Sequence, residues 1–156
     1  MMKRRIFLRG SMTAGVLAVA AGSGLLKPTR VLAATWPKAA FESKDVDSAL
    51  TAALGSASTS DDAKIKLKAP DIAENGAVVP VTVNSGISGT ESISILVAKN
   101  GTPFTATFNL GANTEGFVST RIKMGKTSDV IAVVKAGGKL YSTKKQVKVT
   151  IGGCGG

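Results

Sequence analysis

Residues 79–84 read VPVTVN, in which valine alternates with proline, threonine and asparagine, and this stretch decides the fold. Successive side chains of a β-strand point to opposite faces, so a period of two residues predicts a strand with one buried face. The same period, or an apolar run of strand length, recurs in residues 64–68, 93–97, 104–110, 118–122, 130–134 and 147–151. Roughly seven short strands over residues 64–151 predict an all-β fold, an immunoglobulin-like β-sandwich.

Turn residues separate the predicted strands. The pair Gly137-Gly138 suits a tight hairpin, because such a turn needs positive φ angles that glycine adopts freely. Pro80 has no amide hydrogen to donate, so its strand is predicted to lie at a sheet edge or to contain a bulge.

Residues 34–63 lack the two-residue period and are predicted to form a short helix and a linker. Ser43 is the predicted N-cap of a helix over residues 44–54, and Gly55 is its predicted C-terminal stop. The polar residues 56–62 are predicted to connect this helix to the sandwich.

Residues 1–33 have the composition of an export signal. Residues 3–9 (KRRIFLR) are basic and contain a twin arginine, an apolar stretch follows over residues 12–26, and small residues precede Ala34. Glycines interrupt the apolar stretch, which is shorter than the ~20 residues needed to span a bilayer. We therefore predict a cleaved twin-arginine signal peptide and a mature protein that is released into the periplasm, without a membrane anchor.

The charge of the chain depends strongly on this leader. The whole sequence has 20 basic and 10 acidic residues, a net charge of +10. Six of the basic residues and none of the acidic ones lie in residues 1–33, so the mature chain keeps 14 basic and 10 acidic residues, a net charge of +4. The remaining lysines are spread along the predicted strands, as expected for a solvated outer face, and a role in nucleic-acid binding loses its support.

The side chains that usually carry catalysis are scarce in this sequence. The chain has no histidine and one cysteine, which excludes an imidazole base, a histidine-ligated metal and a structural zinc site of the usual kind. We predict no catalytic residue, no bound metal and no cofactor, and therefore a protein that is not an enzyme by itself.

The cysteine lies in the last five residues, Gly152-Gly153-Cys154-Gly155-Gly156. Glycines on both sides leave no neighbouring side chain that could bury the thiol, so residues 152–156 are predicted to form a flexible arm. Fully extended, this arm carries the sulfur roughly 10 Å beyond residue 151. An accidental cysteine on a tail, or an anchor for an intermolecular disulfide, are the alternatives.

Two stretches of the chain carry a family resemblance. Residues 147–156 read VKVTIGGCGG and residues 72–81 read IAENGAVVPV. Both are similar to the SoxY family, the sulfur carriers of the periplasmic thiosulfate-oxidising system. The resemblance implies that Cys154 is the covalent attachment site, holding thiosulfate-derived sulfur as S-thiosulfonate and persulfide intermediates, and that Gly152, Gly153, Gly155 and Gly156 form the carrier arm.

The same resemblance implies partners. It implies a stable heterodimer with a SoxZ-like small β protein, and visits to a c-type cytochrome conjugating enzyme, a sulfate-releasing hydrolase and a sulfur dehydrogenase. Twin-arginine export accepts folded cargo, so a leaderless partner could cross the membrane bound to this chain.

Two other classes of protein share features with this chain. Ubiquitin-like sulfur carriers also end in Gly-Gly, but they are activated with ATP, which an export leader argues against. A secreted immunoglobulin-like structural or adhesion module, linked through an intermolecular disulfide at Cys154, is the non-carrier alternative.

Overall fold

The structure, a computed structural model, describes residues 36–150. Within that part of the chain it contains two α-helices, α1 and α2, and nine β-strands, β1 to β9. The helices are α1 (Lys38–Glu42) and α2 (Val46–Leu54). The strands are β1 (Ser60–Asp61), β2 (Ile65–Lys68), β3 (Ile72–Ala73), β4 (Val79–Ser85), β5 (Thr90–Val97), β6 (Phe104–Asn109), β7 (Phe117–Ile122), β8 (Ser128–Ala136) and β9 (Lys139–Val149).

The strands form two sheets. The smaller sheet has the order β2-β4-β7 and is antiparallel, whereas the larger has the order β1-β9-β8-β5-β6, with β3 also paired to β9. Strands β1 and β3 run parallel to β9, and the other pairs of this sheet are antiparallel. The predicted all-β, immunoglobulin-like sandwich is confirmed, with two additional strands, β1 and β3, of two residues each. Strand β1 lies within the stretch predicted to be a linker.

The alternating residues form the core between the two sheets. Val79, Val81 and Val83 of β4 are at most 1% exposed and belong to the same cluster as Ile93 and Ile95 of β5. Burial of each such side chain contributes about 1.5–3 kcal/mol to the free energy of folding. The two-residue period in the sequence therefore corresponds to the face of β4 that is buried in the core.

The helices cover part of the outer face of the larger sheet. Leu50 of α2 shares a second buried cluster with Leu96 of β5 and Val133 of β8. Phe41 of α1 meets Phe104 of β6 edge to face, with ring centroids 4.9 Å apart. Because β5 and β8 are covered on both sides, their sequences are more apolar than those of the other strands.

The helix predicted over residues 44–54 begins later than expected. Ser43 is instead the C-cap of α1, and its hydroxyl donates to the Ala39 carbonyl over 2.7 Å. Asp45 is the N-cap of α2, accepting a hydrogen bond from the Ser48 backbone N–H over 2.8 Å, and this bond lowers the pKa of the Asp45 carboxyl. Gly55 ends the helix with a φ of 85°, as predicted.

Strand β4 is the central strand of the smaller sheet, so the prediction of an edge strand around Pro80 is wrong. Pro80 pairs with Arg121 of β7, whereas the β2 ladder ends where Lys68 faces Thr82. Pro80 thus lies beyond the end of β2, where its missing amide hydrogen interrupts no pairing on that side.

The predicted glycine hairpin is confirmed. Gly137 and Gly138 join β8 to β9 with φ angles of 56° and 73°, and Ala136 pairs with Lys139 across the turn. This tight turn places the start of β9 at one end of the sandwich and its last residues at the other.

Candidate functional site

The predicted attachment site, Cys154, and the predicted arm residues Gly152, Gly153, Gly155 and Gly156 lie outside the described residues, as does the predicted signal peptide. The structure does show the segment to which they are attached, the last residues of β9. We call this segment, residues 147–150 with their immediate contacts, the arm base.

On one side, the arm base pairs with β3. Ile72 lies opposite Lys148, and Ala73 lies opposite Val149. The Lys148 N–H donates to the Asp71 carbonyl over 2.9 Å, and the Thr150 N–H donates to the Ala73 carbonyl over 3.1 Å. The two stretches that carry the family resemblance are therefore neighbours in the fold, joined by main-chain hydrogen bonds.

A lysine fastens the β3 segment to β9. Lys145 Nζ donates to the Ala69 carbonyl over 2.6 Å and lies 2.9 Å from Asp71 Oδ1. Asp71 is largely exposed, so the ion pair itself contributes at most about 1 kcal/mol, and its main effect is to fix the geometry. The sequence pattern groups Lys145 with the other outward-facing lysines, and nothing in it distinguishes this structural role.

On the other side, the arm base is held by Thr127, the residue before β8. The Val149 N–H donates to Thr127 Oγ1 over 3.0 Å, and the Thr127 hydroxyl lies 3.4 Å from the Val149 carbonyl oxygen. This side chain continues the β8–β9 ladder by one residue past its last backbone pair, Ser128 with Val147. The backbone of the arm base is thus hydrogen-bonded on both sides, to the β3 segment on one and to Thr127 on the other.

A buried glycine fits against the arm base. The Met124 N–H donates to the Gly76 carbonyl over 2.7 Å. A Cβ atom added at Gly76 would overlap the Met124 carbonyl oxygen and would lie 2.9 Å from Val149 Cγ1. Residue 76 must therefore be glycine for β9 and the β7–β8 loop to approach each other as they do.

The Thr127 contact can be tested by hydrogen exchange at one amide. Thr127→Val removes the acceptor for the Val149 N–H, whose net contribution is about 1 kcal/mol, so exchange at Val149 should be roughly fivefold to tenfold faster. Thr127→Ser keeps the hydroxyl and should retain the slow rate. Equal exchange rates in the valine variant and the native protein would show that Thr127 does not hold the arm base.

No metal-binding cluster and no membrane-spanning helix is found among the described residues. Among residues 36–150, no three His, Cys, Asp or Glu side chains lie close enough together to hold a metal ion. In the same part of the chain, no helix has the length and apolar composition needed to cross a membrane. The polar side chains that contact the arm base or the β3 segment beside it are the Thr127 hydroxyl, the Lys145 ammonium group and the Asp71 carboxylate.

Comparison with known proteins defines the class to which this fold and this arm base belong. A model of the family described as sulfur oxidation protein SoxY matches residues 50–154, a range that ends on Cys154. The solved structure of the sulfur carrier protein SoxY from Chlorobium limicola f thiosulfatophilum is similar, with 45% sequence identity and a TM-score of 0.63. The alignment covers 69% of this chain and 97% of that one. The search of curated proteins found no match.

These matches place the protein in the class of sulfur carriers. The chain belongs to the SoxY family.

Proposed function

We propose that this protein is the covalent sulfur carrier of periplasmic thiosulfate oxidation and that Cys154 holds the sulfur while partner enzymes transform it. The observation that carries the proposal is the SoxY family match, which extends through Cys154. The anchored arm base supports it, because a carrier must present its cargo from a fixed point.

The chemistry assigned to Cys154 begins with an oxidation. The cysteine thiol and thiosulfate are joined with loss of two electrons and one proton, forming Cys–S–S–SO3−, and a c-type cytochrome enzyme accepts the electrons. Water attacks the terminal sulfonate in a partner hydrolase, releasing sulfate and leaving a persulfide. A sulfur dehydrogenase passes six electrons from the outer sulfur of the persulfide to an external electron acceptor while three water molecules supply oxygen, which converts that sulfur to a sulfonate. A second hydrolysis then releases sulfate and restores the thiol.

In this proposal the chain supplies the thiol and an arm long enough to present it, and the partner enzymes supply the catalysis. Cys154 follows Thr150 by four positions along the chain, a span of about 13–14 Å when fully extended. A thiol at that distance, without bulky neighbours, can enter a narrow active site while the sandwich remains outside. Serial visits then keep a reactive intermediate attached, instead of releasing it to diffuse.

The partner and the compartment belong to the same proposal. The predicted twin-arginine leader supports export in the folded state, and a SoxZ-like small β protein without its own leader would be carried as a heterodimer. Export in a preassembled complex would explain why a chain for which no cofactor is predicted would use a pathway for folded cargo.

The proposal is tested by purifying the protein from the periplasm of cells oxidising thiosulfate and measuring intact masses. We expect a chain that begins near Ala34, reductant-labile sulfur additions on the C-terminal peptide, and a small β protein in the same complex. An adhesion module would show a disulfide to a second polypeptide in place of these additions. An unmodified C-terminal peptide during active turnover would contradict the carrier function.

A chain lacking residues 1–33 is the control for export. It should remain in the cytoplasm and retain its partner there. Export of the partner without this leader would contradict joint transport. It would not contradict the carrier function, which is tested separately by the intact-mass measurement of the C-terminal peptide.

A further inference from the structure

The dipeptide Asn-Gly occurs twice in the chain, as Asn75-Gly76 and as Asn100-Gly101. The backbone nitrogen that follows an asparagine can attack the side-chain carbonyl of that asparagine, and the reaction replaces the amide by a carboxylate without an enzyme. Glycine favours the attack, because it has no side chain to shield its nitrogen and its backbone is the least restricted. The fold places these two pairs in opposite surroundings.

The pair Asn75-Gly76 is held rigidly beside the arm base. Gly76 is buried, and its carbonyl accepts from the Met124 N–H over 2.7 Å. Asn75 Oδ1 accepts from the Ala77 N–H over 2.9 Å. Because Gly76 packs too closely against Met124 and Val149 to admit even a Cβ atom, its nitrogen cannot turn toward the Asn75 side chain unless the segment opens locally.

The pair Asn100-Gly101 lies in open surroundings. It lines a polar cleft of ≈ 410 Å³, where the β5–β6 and β7–β8 loops meet the connection between α1 and α2. Gly101 is exposed, and no atom lies within 4 Å of a Cβ added there. Within residues 36–150 its N–H donates no hydrogen bond. The Gly101 nitrogen can therefore approach the Asn100 side chain without opening the fold.

The Asn100 amide joins the two loops, and its two hydrogen bonds act in opposite directions on the reaction. Oδ1 accepts from the Gly125 N–H over 3.0 Å, which stabilises the negative charge that develops on this oxygen during the attack. Nδ2 donates to the Lys123 carbonyl over 2.8 Å, and this bond must break before the nitrogen can leave. One exposed hydrogen bond is a smaller obstacle than the local opening that Gly76 requires.

The charge in the cleft favours the same reaction. Lys44 and Lys123 both line the cleft, and within residues 36–150 neither forms an ion pair with a carboxylate. Asp45, the acidic neighbour of Lys44 in sequence, uses its carboxylate to cap α2. Two ammonium groups without a carboxylate partner stabilise both the developing negative charge at Asn100 and the carboxylate that replaces its amide.

We propose that Asn100 is a modification site of this protein, at which the amide is lost spontaneously, and that the fold protects Asn75 from the same reaction. The Gly101 nitrogen forms a bond to Asn100 Cγ, the Cγ–Nδ2 bond breaks, and the displaced Gly101 proton leaves with Nδ2 as ammonia. Water then opens the cyclic imide and leaves aspartate or isoaspartate. Nothing is oxidised or reduced, and the reaction needs no sulfur on Cys154.

Loss of the Asn100 amide separates the two loops. A carboxylate has no N–H to donate to the Lys123 carbonyl, so the bond between the loops becomes a contact between two oxygens that repel each other. The β7–β8 loop also contains Thr127, whose hydroxyl accepts from the Val149 N–H. The modification therefore loosens the arm base, and the fraction of loosened molecules grows with the age of the protein.

The test follows the full mature chain during incubation at neutral pH. Peptide mass spectra measure the replacement of amide by carboxylate at each asparagine. We expect Asn100 to react at least about tenfold faster than Asn75, which corresponds to about 1.4 kcal/mol of local opening at Gly76. In the chain unfolded by denaturant, the two pairs should react at similar rates, because neither is then held by the fold.

Substitutions in the cleft separate the causes. Gly101→Ala shields the attacking nitrogen and should slow the reaction at Asn100 by about tenfold or more. Lys44→Gln/Lys123→Gln removes the two charges and should slow it about twofold to fivefold. Lys139→Gln, in the β8–β9 hairpin, is the matched control and should leave the rate unchanged.

Asn100→Asp supplies the product directly and tests the effect on the arm base. Hydrogen exchange at the Val149 amide should be about twofold to tenfold faster in this variant than in the native chain. Asn113→Asp makes the same chemical change in the exposed β6–β7 loop and should leave exchange at Val149 unchanged.

Three results would overturn the proposal. Equal rates at Asn75 and Asn100 in the folded chain would show that the fold does not select between the two pairs. An Asn100 slowed by folding as strongly as Asn75 would show that its hydrogen bonds protect it. Native exchange at Val149 in Asn100→Asp would show that the modification does not reach the arm base. The carrier function is independent of all three, because it is tested by sulfur on the C-terminal peptide.

Discussion

Cys154→Ser is expected to reduce thiosulfate-dependent electron transfer to the background measured without the carrier. A serine hydroxyl cannot form the sulfur–sulfur bond that holds the cargo, so none of the later steps has a substrate. The measurement is cytochrome reduction by thiosulfate in a system reconstituted with the partner enzymes. The melting temperature of the variant should equal that of the native chain.

Two further chains make this result specific. Lys139→Gln, at the opposite end of the sandwich, should oxidise thiosulfate at the native rate. Deletion of Gly155 and Gly156 would abolish a carrier that uses a C-terminal thiocarboxylate but should leave a cysteine carrier partly active. A serine variant that oxidises thiosulfate as fast as the native chain would refute the assignment of Cys154.

Gly76→Ala is expected to cause the largest loss of stability among substitutions near the arm base. The new methyl group would overlap the Met124 carbonyl oxygen, a backbone atom that cannot rotate away, and would press on Val149. Forcing a methyl group into a well-packed site costs about 1–3 kcal/mol, which corresponds to a fall in melting temperature of roughly 5–15 °C. Thermal unfolding measures this fall directly.

Gly101→Ala is the matched control for this substitution. No atom lies within 4 Å of a Cβ added at Gly101, and its φ is not in the left-handed region, so the melting temperature should change little. Faster exchange at the Val149 amide should accompany the Gly76 variant alone. Equal melting temperatures for the two alanine variants would mean that the close approach at Gly76 is not required.

The sandwich could be predicted from the sequence because its strands are long enough to show a period. The valines of β4 alternate over six residues, and each valine in that alternation is buried. Gly137 and Gly138 predict their turn because few other residues adopt its φ angles. Such signals are local, so a single stretch of sequence contains all the information needed.

The arm base could not be predicted in the same way, because its contacts join distant parts of the chain. Strands β1 and β3 have two residues each, too few to show any period, and both depend on β9 for pairing. Thr127 and Lys145 look like ordinary polar residues until the fold brings Val149 and Asp71 beside them. The predicted N-cap, Ser43, was wrong because serine and aspartate both cap helices well, so residue type does not exclude Ser43 in favour of the observed cap, Asp45.

The parallel pairing of β1 and β3 with β9 has a consequence for biosynthesis. Ser60 pairs with Tyr141 and Ile72 pairs with Lys148, so both short strands are translated well before their hydrogen-bonding partner β9. A polypeptide that terminates before β9 would leave these early segments unpaired and would also lack Cys154. Early termination of that kind therefore removes the completed sheet and the C-terminal cysteine together.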